Sequence, residues 1–204
     1  MKRTLLLALV AAAAPRLAAQ DPRLDERADP HLRAAIAAQL DSARQASLPT
    51  APLVDKVLEG ITKQADSARI VGAVRKLRSE LGQARQALGA RTSEQELVVG
   101  AEALRAGITP DALQRVRDAR PTGSLVVPLS VLADLVSRGV PADTAASAVL
   151  AFARQKASDD DLERLRRNVE HDILAGVTPA VSAAVRANLP GAAPAPVRPP
   201  GASP

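Results

Sequence analysis

Four times along the chain a glycine is followed by a β-branched apolar residue and then by Thr or Pro: Gly60-Ile61-Thr62, Gly107-Ile108-Thr109-Pro110, Gly139-Val140-Pro141 and Gly176-Val177-Thr178-Pro179. Glycine just past a helix end adopts the left-handed conformation without a Cβ penalty, and Thr-Pro supplies an N-cap and a first-turn residue for the next helix. Each copy therefore predicts a tight helix-to-helix turn, with Gly60, Gly107, Gly139 and Gly176 ending their helices at positive φ. Three residues before the glycines stand Val57, Leu104, Val136 and Ile173, one turn back and on the face that Ile61, Ile108, Val140 and Val177 can meet. The glycines lie 47, 32 and 37 positions apart. A repeat array holds a near-fixed period, so the spacing argues instead for an all-α, irregular stack of helical hairpins, with about eight or nine helices.

Between the turns, apolar residues recur at helical spacing. Leu32, Ile36, Leu40 and Ala43 form one face from Pro30 to Ala46, behind Asp29 as N-cap and Pro30 as first helical residue. Ser47-Leu48-Pro49 then resembles a weaker copy of the turn, with Ser in place of Gly. A short helix over Thr50–Glu59 carries Leu53, Val54, Val57 and Leu58. The longest pattern runs over Asp66–Leu88, where Ile70, Val74, Leu77, Leu81, Ala84 and Leu88 follow alternating steps of four and three, a heptad seam. The seam is expected to pack internally against the first two helices. Self-association through residues 70–88 is the other reading.

Gly89-Ala90-Arg91 interrupts the pattern, and two overlapping capping boxes, Thr92 with Gln95 and Ser93 with Glu96, restart it. A candidate internal boundary thus falls near 89–92. Helices are expected over Ser93–Ala106, Pro110–Ala119, Pro128–Arg138, Pro141–Lys156, Asp159–Ala175 and Thr178–Asn188, with Arg120–Ser124 as a loop. No segment alternates with period two over a strand's length.

The ends read differently. Met1-Lys2-Arg3, the apolar run Leu5–Ala14, the break at Pro15 and the small residues Ala18-Ala19 have the three-part pattern of a secretory signal peptide over 1–19. A run that stops at Pro15 is far short of the about 20 apolar residues a membrane span needs. The expected product is a periplasmic or secreted domain over 22–188, without a transmembrane segment, followed by a disordered Pro/Ala-rich tail over 190–204. Cleavage removes Lys2, Arg3 and Arg16 and no acid, so the formal net charge drops from +5 to +2. The residual excess is too small to imply general nucleic-acid affinity.

Composition removes most chemistry. There is no Cys, Trp or Tyr, and Phe152 is the only aromatic, so thiol nucleophiles, disulfides and stacking platforms for sugars or bases are absent. His31 and His171 sit in different helices with no second His three or four residues away, which leaves no metal-ligand pattern. No G-x-S-x-G elbow and no S-x-x-K pattern nominate a serine. Asp159, Asp161, Glu163 and Glu170 mimic a calcium loop, but Arg164 stands where its sharp turn needs Gly; Ser158 as an N-cap followed by three aspartates is a helix start. No catalytic residue, metal or cofactor is assigned.

One charged feature remains. Residues 62–91 hold seven cations, Lys63, Arg69, Arg75, Lys76, Arg78, Arg85 and Arg91, against Asp66 and Glu80, a local net charge of +5. Arg75, Arg78 and Arg85 are the candidate binding residues, for an acidic protein or an anionic envelope component. The leading expectation is an exported, non-enzymatic helical protein, a protein-interaction or cell-envelope scaffold module. A small exported enzyme working with carboxylates alone is the second reading.

The third comes from Ala103–Val116. A small residue four before Gly107 and apolar residues one, six and nine after it resemble the helix-turn-helix of DNA-binding regulators. That resemblance implies a recognition helix presenting Gln114, Arg115 and Arg117 to DNA, and it requires that residues 1–19 not be a leader.

Overall fold

A computed structural model describes residues 22–25 and 27–188; the leader expected over 1–19 and the tail expected over 190–204 lie outside the described residues. Among the described residues ten helices follow one another: α1 (Pro22–Asp25), α2 (Pro30–Gln45), α3 (Ala51–Thr62), α4 (Ser67–Leu88), α5 (Glu94–Arg105), α6 (Pro110–Ala119), α7 (Val126–Ser137), α8 (Ala142–Arg154), α9 (Asp159–Leu174) and α10 (Pro179–Asn188). The described residues include no strand. The all-α class expected from the turns is the one observed.

Capping residues set the helix starts as the sequence predicts. The Asp29 carboxylate accepts the His31 and Leu32 amides at 2.9 Å each, Thr109 accepts the Ala112 amide at 3.2 Å, and Ser93 with Glu96 and Ser158 with Asp161 close reciprocal capping boxes. Thr92 does not cap; its hydroxyl turns back onto the Gly89 carbonyl at 2.7 Å. Helix α7 starts two residues earlier than Pro128. Proline in a first turn lacks an N–H that would be unbonded there anyway, so Val126 and Val127 wind ahead of it.

Six helices stop in the same way. After α5 the Gly107 amide bonds to the Leu104 carbonyl and the Ile108 amide to the Ala103 carbonyl, both at 3.0 Å, with Gly107 at φ 103°. This paired arrangement satisfies two of the carbonyls a helix end leaves open. It recurs at Gly139 and Gly176, both at φ 90°, and also at Ser47, Gln64 and Lys156, at φ 53°, 54° and 55°. Gly60 does not take part as predicted. Helix α3 runs through it to Thr62, Gln64 occupies the left-handed position, and the Gly60 carbonyl accepts the Ala65 amide at 3.0 Å. What Gly60 supplies is proximity: a Cβ there would lie 2.7 Å from Ile70 Cγ1, so glycine lets α3 and α4 approach.

The turns build two layers in which a helix rests on the one two before it. In one layer α4 packs on α2, α6 on α4, α8 on α6 and α10 on α8; in the other α7 packs on α5 and α9 on α7. Pairs α3–α4, α4–α5, α7–α8 and α9–α10 join the layers. Two clusters of buried side chains fill the interior. One extends from Leu24 to Ala101 and one from Leu88 to Ala183, with α5 feeding both, through Leu97 and Ala101 on one side and Val99 and Ala103 on the other.

The α4 seam is internal. Ile70, Val74, Leu77, Leu81, Ala84 and Leu88 are all buried, against α2 and α3 and also α5 and α6. Self-association through that seam would require opening the core, so this expectation is withdrawn.

Candidate functional site

Burial of the seam dictates which α4 residues meet solvent. Gly72, Arg75, Lys76 and Ser79 are exposed and Arg78 is half-buried, so the outward surface of α4 carries three cations within four residues. None of Arg75, Lys76 and Arg78 forms an ion pair with a described residue. Toward the start of the helix the remaining cations are engaged: Lys63 pairs with Glu59 at 2.6 Å, and Arg69 lies 3.7 Å from its N-cap Asp66.

Arg85 has a different use. Its guanidinium donates to the Ala90 carbonyl at 2.8 Å, the Thr92 carbonyl at 3.3 Å and, from the other nitrogen, the Ser47 carbonyl at 2.9 Å. It thereby ties the α2–α3 turn to the α4–α5 turn. A cation engaged on three backbone carbonyls is a structural strut, and the binding role assigned to it from charge alone passes to its neighbours up the helix.

Glu96 is a second junction. Its carboxylate accepts the Ser93 amide at 2.9 Å and hydroxyl at 3.1 Å, then the Leu125 amide at 2.7 Å and an Arg117 nitrogen at 3.2 Å. The capping box at the start of α5 thus also fixes the start of α7 and the end of α6. Burial pushes this carboxyl up, but the Ser93 and Leu125 amides, the Ser93 hydroxyl and Arg117 outweigh it and hold the group below the usual range. A depressed carboxyl stabilises the fold above the pKa of the unfolded chain, near 4.5, and that contribution is lost as pH falls through the lower folded value. Urea midpoints should therefore decline on acidification below about pH 4.5, and Glu96→Gln should remove part of that decline. A variant with the full acid dependence of the parent would exclude this role for Glu96.

Carboxylates also line a cleft of about 310 Å³ between α3, α4 and α5, where Asp55, Glu59 and Glu102 converge. The arrangement is poor acid–base machinery. Lys56 and Lys63, at 2.5 and 2.6 Å, hold the Glu59 carboxyl down at about 2, and Asp55 pairs with Arg23 at 2.9 Å. Asp29, Glu59, Glu96 and Asp161 are likewise all held below the usual carboxyl values. A catalytic acid needs a group pushed the other way. Among the described residues no three His, Cys, Asp or Glu side chains group so as to hold a metal ion.

The helix-turn-helix segment folds as α5, the Gly107 turn and α6, but its two helices pack chiefly on other neighbours: α5 on α4 and α7, α6 on α4 and α8. Arg115 pairs with Asp111 at 3.0 Å and Arg117 with the buried Glu96, which leaves exposed Gln114 as the one would-be groove residue outside an ion pair. Among the described residues no helix is long and apolar enough to cross a membrane. No protein-family pattern, no characterised protein and no solved structure matches this chain.

Proposed function

We propose that the chain is an exported, non-enzymatic helical module that binds an acidic partner of the cell envelope through the outward face of α4, with Arg75 and Arg78 at the contact. One observation carries the reading: Arg75, Lys76 and Arg78 crowd within about one turn without an ion pair among the described residues, on a helix whose apolar side is spent in the core. Like charges so close repel one another, and a partner carboxylate would relieve that cost while steering encounter. Export rests on the leader pattern of residues 1–19.

The test uses the processed protein as bait for a solubilised envelope extract of its native host. Arg75→Glu with Arg78→Glu should abolish recovery of the partner that the parent protein retains, and raising salt from about 0.05 to 0.5 M should weaken that recovery, because exposed charge pairs are screened. Arg85→Ala serves as a contrast, expected to lower stability without changing which partner is held. Equal recovery by the double variant would eliminate the α4 face. N-terminal sequencing of the protein from fractionated cells tests the export half: a cytoplasmic chain beginning at Met1 would refute it and return the DNA-binding reading.

A further inference from the structure

The connection from α4 to α5, residues 89–93, and the connection from α6 to α7, residues 120–125, together border an open cleft of about 620 Å³. That volume is in the range of small-molecule sites. Arg91 and Arg117 line it, and the outward cations of α4, Arg75, Lys76 and Arg78, do not.

Hydrogen bonding in the first connection is one-sided. Arg85 donates to the Ala90 and Thr92 carbonyls, and the Thr92 hydroxyl donates to the Gly89 carbonyl at 2.7 Å, so three of its acceptors are engaged within the fold. Its donors are not: the Ala90 and Arg91 amides and the Arg91 guanidinium have no partner among the described residues. Arg117 adds a second cation. Its Nη2 bonds to Glu96 at 3.2 Å, and its Nη1 has no partner among the described residues. Glu96 is the one acid among the described lining residues, and the Ser93 amide and hydroxyl, the Leu125 amide and Arg117 already occupy its two oxygens. Two guanidinium groups against one engaged carboxylate leave the cleft one positive charge and a surplus of donors.

We infer that this cleft binds a small organic monocarboxylate, with Arg91 supplying the charge that holds the carboxylate and Arg117 the second cation of the site. The planar fork of a guanidinium matches both oxygens of a carboxylate, and Arg91 gives up no internal bond to make that contact. A phosphate monoester, with close to two negative charges, would bring an uncompensated one beside Glu96. Ala90 and Pro121, which also line the cleft, offer apolar surface to the rest of the ligand. The braced carbonyls of the first connection and the bonds at Glu96 fix both walls before a ligand arrives, so little ordering is left to oppose binding.

Titration of the isotopically labelled, full processed chain with butyrate, followed by amide NMR, tests the site. Saturable shifts should centre on residues 89–93 and 121–125, with a Kd on the order of millimolar for so small a ligand. Arg91→Gln should weaken binding at least about tenfold, the loss expected of a charge-assisted bond, whereas Arg75→Gln, the same change in net charge, should leave it unaltered. Butan-1-ol should give no saturable shift at the cleft, and inorganic phosphate should bind more weakly than butyrate. Shifts that never saturate, an Arg91→Gln protein that binds as the parent does, or equal weakening by the two variants would overturn the proposal. So would phosphate or the alcohol binding as tightly as butyrate.

Discussion

Asp172→Ala should cost roughly 3–5 kcal/mol of unfolding free energy, more than any substitution on the surface of the stack. The Asp172 carboxylate on α9 receives two parallel bonds from Arg186 on α10, Nε to Oδ2 and Nη2 to Oδ1, both 2.9 Å, and the Ser182 hydroxyl at 2.8 Å. Asp172, Ser182 and Arg186 are 4%, 1% and 7% exposed, so removing the acid takes the bidentate carboxylate from a guanidinium held away from water. The cost comes from keeping that charge buried without its carboxylate more than from the lost attraction, because desolvation had already cancelled much of what the pair gains. Replacing both partners with apolar residues of similar size, Asp172→Leu with Arg186→Met, should therefore lie much nearer the parent than either single change. Urea unfolding of the three variants decides it: a single variant within about 1 kcal/mol of the parent would show that the pair is not buried as described.

Leu132→Ala should cost roughly 2–5 kcal/mol, while Leu174→Ala should stay within about 0.5 kcal/mol of the parent. The chemical change is the same in both. Leu132 is fully buried on α7, which packs on α5, α8 and α9, so its loss leaves a cavity that rigid neighbours on three sides close only in part. Leu174, at 82% exposed, has little contact to lose among the described residues. Thermal or urea unfolding of the pair measures the difference, and similar losses at the two sites would contradict the two-layer packing.

Much of the local structure is legible without coordinates because its causes span a few residues. Asp29, Ser93, Thr109 and Ser158 cap helices for reasons contained in a four-residue window. Gly107, Gly139 and Gly176 are readable because glycine is the cheapest left-handed residue. The same reasoning overlooks Gln64 and Lys156 and misplaces the turn near Gly60, since a left-handed non-glycine residue costs only about 1–2 kcal/mol and two helices docking on each other outweigh it. A preference of that size proposes a turn; packing chooses the residue.

The candidate site divides in the same manner. The run of cations on α4 and the burial of its seam follow from composition and period, so Arg75 and Arg78 are found on the outward surface. Arg85 looks identical in one dimension, and its role depends on the Ser47 carbonyl, 38 positions earlier and next to it only in the folded stack. Glu96 is half-legible: the bond to Ser93 is local, whereas those to Leu125 and Arg117 join three helices. The sequence by itself determined that this protein would be helices joined by short, repeated turns, because capping, glycine geometry and apolar period act over one or two turns of chain. Only the tertiary structure decided that the turns lay helices two apart onto each other, that Arg85 braces backbone while Arg75 and Arg78 face solvent, and that Asp172 and Arg186 share a buried site. Those outcomes depend on burial and desolvation between distant segments, which no window along the chain contains.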